Sequence, residues 1–149
     1  MSKNQKKIWI TGASSGIGKA LAHKFSSEGW KVAVSARRKE ILDEMAKNEN
    51  ISSYPLDVTN QDQIKDVFSK IINDFEGLDL CVFSSGTYDP KLEQEINIKQ
   101  NQFVMETNFF GVLYCIKSVE KYFKDKKAGH ISIVSSIAAY RGLPNSSGY

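Results

Sequence analysis

The sequence predicts an α/β protein built on a doubly wound parallel sheet. Three observations carry this expectation. Short apolar runs alternate with segments of helical period along the chain. The first run, Ile8 to Ile10, opens directly into a glycine-rich turn, TGASSGIG. The fourth, Leu78 to Phe83, is apolar nearly throughout apart from Asp79, as a strand buried on both faces should be. Right-handed crossovers between such strands fix the winding. Sheets of this kind bind ligands beyond the carboxyl ends of their strands. Gly12, Arg37, Asp57, Gly86 and the Ser135-Ser136 pair, far apart in sequence, are therefore expected to converge on one crevice.

Taken in order, Lys7 to Lys19 reads as a buried strand, a turn and the first turn of a helix. Gly12 permits a tight reversal, Gly16 lets backbone approach a phosphate group, and Gly18 lets the new helix pack on the sheet. A helix beginning near Ser15 points its unsatisfied N–H groups at the turn, which suits an anion. The spacing excludes an ATP-type loop: five residues separate Gly12 from Gly18, and Ala20 follows Lys19. It also departs from G-x-G-x-x-G. The helix should run from about Ser15 to Ser27, with Ile17, Ala20, Leu21, Lys24 and Phe25 on one face, and end at Gly29. His23 falls on the polar side, where a surface histidine belongs. Val32 to Val34 is the second strand. It ends at SARR, so Arg37 and Arg38 stand where an acid would meet a ribose 2′-hydroxyl and where arginine accommodates a 2′-phosphate.

Ile41, Leu42, Met45 and Ala46 give a short helix, and Ile51 to Leu56 a third strand. Thr59 is the expected N-cap of the next helix, with Asp62 three residues on. Ile64, Val67, Phe68, Ile71, Ile72 and Phe75 form the clearest periodic segment, stopped by Gly77. After the fourth strand comes the loop Ser84-Ser85-Gly86. Tyr88 to Asn101 reads as a loop with a short polar helix, and roughly Gln102 to Lys124 as a long helix with apolar residues on more than one face. Asn108, inside it, needs hydrogen-bond partners if buried. Ile131 to Val134 is the fifth strand, followed by a loop to Tyr149.

Composition narrows the function. The 149 residues suffice for one domain with a core, 41% being hydrophobic and 25% charged. A net charge of +3, with lysines interleaved among acids, argues against nucleic acid. KNQKK near the start reads as a solvated tail. No apolar run approaches the ~20 residues of a membrane span, and no secretory signal is visible. Cys81 and Cys115 sit in apolar surroundings without metal-ligand spacing, so free buried thiols in a reducing cytoplasm are expected.

Five pieces, TGASSGIG, the basic SARR tip, LDVT, the Asn108 helix and a Ser-Ser pair thirteen residues before Tyr149, together resemble the short-chain dehydrogenase/reductase family in order and spacing. The resemblance covers Lys7 to Tyr149. It implies a Rossmann-type sheet of order 3-2-1-4-5, with the family's last two strands absent, so that residues 1–149 form the front portion of a single-domain enzyme. It implies that Gly12, Ser14, Ser15, Gly16, Ile17 and Gly18 surround the pyrophosphate of NADP(H), favoured over NAD(H) by Arg37 and Arg38. Asp57 and Val58 would meet the adenine, with Ser85 and Gly86 close to the cofactor. Asn108, Ser136 and Tyr149 match the catalytic residues: a tyrosine acid/base, a serine on the substrate carbonyl, and a supporting asparagine. The substrate would be a small carbonyl or alcohol compound, and the whole protein a homo-oligomer paired partly through the long helix.

The chemistry suits those residue types. Ketone reduction needs a hydride and a proton for the developing alkoxide; a tyrosine hydroxyl can give the proton and a serine hydroxyl can hold the oxygen. Tyrosine's ordinary pKa near ~10 is high for the reverse direction. The family lowers it with a lysine four residues later, which this sequence does not reach. Phe83-Ser84-Ser85-Gly86 also replaces the family's Asn-Asn-Ala-Gly. Two readings thus stay open: an oxidoreductase, or a nucleotide-binding fragment or pseudo-enzyme without catalysis. The 149 residues alone are expected to be inactive. A methyl-donor transferase would prefer an acid where Arg37 and Arg38 stand.

Overall fold

The computed structural model describes residues 5–89, 96–144 and 146–149. Five strands form one parallel sheet: β1 (Lys7–Thr11), β2 (Lys31–Ser35), β3 (Ile51–Ser53), β4 (Leu80–Phe83) and β5 (His130–Ile133). Their spatial order is β3-β2-β1-β4-β5. The order reverses between β1 and β4, and that switch point opens a crevice at the carboxyl edge. The helices are α1 (Gly16–Ser27), α2 (Lys39–Met45), α3 (Gln61–Phe75), α4 (Ile98–Met105) and α5 (Gly111–Lys126).

Strand alternation divides the core into two layers. Ile8 and Ile10 of β1 point to one face with Val32, Val34 and Val82, and meet Ala22, Leu42 and Met45 from α1 and α2. Trp9 points to the other, with Ala33, Cys81 and Phe83, and meets Ile64, Ile71 and Phe75 of α3 and Cys115 and Val119 of α5. The Trp9 ring stacks on Phe68, meets Phe83 edge-on, and donates its indole N–H to Ser35 Oγ at 2.9 Å. Helices on both faces make β1 and β2 continuous apolar runs. Burial pushes the Cys115 thiol up to about 12 and raises Cys81 as well, so both stay protonated inside the core.

Several boundaries differ from the sequence expectation. In α1 the buried residues are Gly18, Ala22 and Ser26. Ile17 is 59% exposed because the helix turns that edge toward the crevice rather than the sheet. Gly29 ends the helix as expected, with the Trp30 N–H bonded to Phe25 O at 3.0 Å. The N-cap of α3 is Asn60, whose side chain accepts from Gln63 N at 3.0 Å. Thr59 instead donates both its N–H and its hydroxyl to Asp57 Oδ1, closing a turn that precedes the helix. The third and fourth strands are shorter than expected, although Tyr54 N and Leu56 N continue to bond Val34 O and Ala36 O. The fifth begins one residue earlier and ends at Ile133.

The long helix starts at Ile98 and carries a π-helical turn over Glu106–Phe110 before α5. That turn shifts the helical phase. Thr107, Gly111, Cys115 and Val119 face inward, while Phe109 and Phe110 face out. The loop expected at Tyr88 to Asn101 lies partly outside the described residues, as does part of the KNQKK tail.

Candidate cofactor and active site

A cleft of about 520 Å³ opens along the carboxyl edge of the sheet. Every residue expected to bind the cofactor lines it: Gly12, Ser14, Ser15, Gly16, Ile17, Gly18, Arg37, Arg38, Asp57, Val58, Ser85 and Gly86. The topology accounts for this, because each follows a strand end and all five strands run the same way.

The glycine turn is tightly built. Gly12 has φ +68°, and a Cβ there would lie 2.6 Å from Ser84 O. A Cβ on Gly18 would meet Gly12 O at 2.6 Å, so the helix starts against the turn's own backbone. Ser84 donates its hydroxyl to Thr11 O at 2.7 Å, joining the tips of β1 and β4. The small Ser84, where the resemblance led one to expect an amide, therefore closes the switch point itself. Ser15 occupies the N-cap of α1 with no side-chain cap bond, and no acid sits in the first turn. The positive end of α1 is left uncapped beside the cleft.

At the tip of β2 the two arginines divide. Arg38 donates to Ser14 Oγ at 3.1 and 2.9 Å and to Ser15 Oγ at 2.8 Å, fastening the β2 tip to the glycine turn. Arg37 is exposed on the cleft wall and has no hydrogen bond or ion pair among the described residues. These groups fit a phosphorylated dinucleotide. A Cβ on Gly16 would meet nothing within 4 Å, so the space above the turn is open. The uncapped helix end and the unpaired guanidinium both favour anionic oxygen. Asp57 is held by its Oδ1 bonds from Thr59 and by its N–H to Gln63 Oε1 at 2.8 Å. Its second oxygen has no partner among the described residues.

The catalytic expectations separate in the structure. Tyr149 lines the cleft, and its ring packs on Tyr88 with centroids 4.8 Å apart. Ser136 is half-buried and absent from the cleft lining; its hydroxyl accepts from Ala138 N at 3.2 Å, capping a 3-10 turn, while its neighbour Ser135 lines the cleft. Asn108 sits in the π turn and spends its amide on the backbone of one residue, Thr87. Its Oδ1 accepts from Thr87 N at 2.7 Å and its Nδ2 donates to Thr87 O at 2.9 Å. Asn108 thereby fixes the loop after β4.

Sequence reasoning missed Thr87, Thr107 and Val134 as lining residues. Thr87 had a signal, as the residue after Gly86. Thr107 had none, because the π turn that rotates it inward leaves no mark in a 3.6-residue period.

Comparison with known proteins agrees with this geometry. The short chain dehydrogenase family model matches residues 6–149. An uncharacterized oxidoreductase of Staphylococcus saprophyticus is 32% identical over 148 residues, covering 97% of this chain and 60% of the relative. Dehydrogenase/reductase SDR family member 7 of Mus musculus is 30% identical, covering 95% of this chain and 45% of its own length. Among solved structures, ElxO with NADP bound superposes with a TM-score of 0.87 at 30% identity, over 95% of this chain and 60% of ElxO. An ElxO variant with NADPH bound gives 0.88 at 31%, with the same coverage. The chain belongs to the short-chain dehydrogenase family. It spans about 60% of the length of the first of these relatives.

Proposed function

We propose that these residues form the nucleotide-binding front portion of an NADP(H)-dependent oxidoreductase acting on a carbonyl or alcohol. The observation that carries the reading is a single cleft bearing an uncapped helix end and the unpaired Arg37 at one end and Tyr149 at the other. Two similar structures hold NADP or NADPH. The glycine turn and α1 would hold the pyrophosphate, and Asp57 and Val58 the adenine. Arg37 would take the 2′-phosphate, with Arg38 keeping Ser14 and Ser15 in place beneath it.

When bound, the nicotinamide supplies or accepts the hydride at the carbonyl carbon. Tyr149 gives its proton to the carbonyl oxygen, or takes it back in oxidation. Ser136, whose hydroxyl accepts from Ala138 N and keeps its own O–H free, would donate a hydrogen bond to that oxygen. Asn108 holds the β4 loop against the cleft through Thr87. One observation favours the second reading, a nucleotide-binding unit without catalysis: Ser136 does not line the cleft. Phe103, Met105, Phe109, Phe110 and Leu113 are large exposed apolar side chains on the long helix, which supports pairing of subunits there in the whole protein.

Fluorescence titration with NADPH and NADH tests the cofactor assignment. Arg37→Asp should weaken NADPH binding about 10–100-fold and NADH binding far less. Equal weakening of both would remove Arg37 from the 2′-phosphate site.

A further inference from the structure

The glycine turn and the tip of β2 are joined twice. Ala13 N bonds Ser35 O at 3.1 Å, which fixes the backbone. Arg38 makes the second joint. Its Nε and Nη2 donate to Ser14 Oγ at 3.1 and 2.9 Å, and Nη2 also donates to Ser15 Oγ at 2.8 Å. A guanidinium only donates, whereas a serine hydroxyl accepts twice and donates once. Both hydroxyls are therefore held as acceptors. Ser14 Oγ spends both lone pairs on Arg38, so its own proton points away from the guanidinium. Neither hydroxyl donates to another group among the described residues, and both serines line the cleft.

The same contact explains why α1 starts uncapped. Ser15 stands at the N-cap with extended backbone, where a serine ordinarily accepts from an N–H two or three residues on. Its side chain makes no such bond; that oxygen takes the Arg38 N–H instead. The first-turn N–H groups, those of Ile17 and Gly18 among them, stay available to an anion. A hydroxyl that accepts from a cation is also polarised, which strengthens the bond it donates onward.

We propose that Arg38 is a positioning residue of the pyrophosphate site: its fork holds the Ser14 and Ser15 hydroxyls as acceptors, which leaves their protons and the open end of α1 to the dinucleotide's diphosphate. The diphosphate is common to NADPH and NADH, so Arg38 acts on both cofactors, unlike Arg37 at the 2′-phosphate. This rests on the NADP(H) oxidoreductase reading, and the test separates the two.

The full-length gene product is titrated with NADPH and with NADH by fluorescence. Absence of NADPH binding by the wild type would overturn the underlying reading and the proposal with it. Arg38→Met keeps the side-chain stem and removes the fork. It should weaken binding of both cofactors by the same factor, about 3–10-fold. Replacing Ser14 and Ser15 together by Ala should weaken both as well. Adding Arg38→Met to that pair should cost less than about a further twofold, because Arg38 acts through the serines. Without cofactor, amide exchange at Ile17 and Gly18 should slow in Arg38→Met, as Ser15 becomes free to cap α1.

Four results would overturn the proposal and leave the cofactor reading standing. Loss confined to NADPH, or an additive loss in the triple variant, would put Arg38 in direct contact with the cofactor. Undiminished binding by Arg38→Met would give Arg38 no part in the site. Unchanged or faster exchange at Ile17 and Gly18 would reduce it to a fastening of the turn. If Arg38→Met does not melt cooperatively, Arg38→Lys decides: lysine keeps the charge without the fork. An equal loss for both cofactors then supports the proposal, and wild-type affinity for NADPH overturns it.

Discussion

Within the described residues, which span about 60% of the length of the first relative, the two halves of the sheet differ in enclosure. On the β3–β2–β1 side, β1 and β2 are buried from their second residue onward, with α1 and α2 on one face and α3 on the other. On the β4–β5 side, the edge strand β5 is exposed at His130 and at Ile133, which is 49% exposed, and half-buried at the two residues between them. The glycine turn, Arg37 and Arg38 belong to the enclosed half, and Tyr88 and Tyr149 lie toward the open one. The difference teaches that the glycine turn and the β2 tip are positioned by backbone and strand ends that a packed core holds. The end of the cleft around Tyr88 and Tyr149 is held by individual side-chain bonds, those of Asn108, Ser146 and Ser147.

The sharpest way to break this comparison is to truncate one apolar side chain in each half. Trp9 is fully buried and touches both Phe68 and Phe83. Trp9→Ala should cost about 3–5 kcal/mol, a large part of a domain's ~5–15 kcal/mol. It would also leave the Ser35 hydroxyl without its indole donor. Ile133→Ala should cost within about 0.5 kcal/mol, because its surface is already half in water. Urea denaturation of both variants measures the contrast; similar losses would mean that β5 is as well anchored as β1.

Much of this division can be read from the sequence. The glycine turn and the Arg37-Arg38 tip follow from local motifs, because strand ends and tight turns are fixed by nearby residues, whereas the strand order is what the family resemblance implies. Helix phase is less legible. Ile17 looks like a core residue by spacing, yet it faces the cleft, since Gly18 is the residue that backs onto Gly12. Thr59 and Asn60 both offer capping side chains, and only the Asp57 turn decides between them. Ser136 has the spacing of a cleft residue, but its hydroxyl is occupied by a local cap. In each case a short-range competition between neighbours sets the outcome, which periodicity does not register.

A middle-sized effect lies at the junction between the halves. The connection from α3 to β4 takes positive φ at two successive residues, Gly77 at φ 129° and the non-glycine Glu76 at φ 54°. A side chain there costs about 1–2 kcal/mol relative to right-handed backbone. Glycine avoids that strain but loses more chain entropy on folding. Glu76→Gly should therefore stabilise the protein by a net of about 0.5–1 kcal/mol, read as a raised denaturation midpoint. A lowered midpoint would show that the Glu76 side chain contributes more than its backbone strain costs.

The smallest effect is a pH-dependent one at the same junction. Asp79 precedes β4 and ties it to β1 and to the end of α5, accepting from Lys7 N and from Lys126 Nζ, each at 2.9 Å. Partial burial would raise its pKa, but the Lys126 and Lys7 bonds together outweigh this and hold the carboxyl below its usual value. A lowered folded-state pKa means that the unfolded chain binds the proton more readily. The stabilisation is then present above the ordinary carboxylate value of about 3.9 and is lost as pH falls through the folded value. Because the pair is partly exposed, Asp79→Asn should cost only about 0.5 kcal/mol at pH 7. That difference from wild type should shrink as pH falls below the ordinary carboxylate value and vanish once Asp79 is itself neutral. Denaturation midpoints of both proteins across that range give the result. A deficit that persists unchanged at low pH would assign the role of Asp79 to its shape and its bond to Lys7 N rather than to its charge.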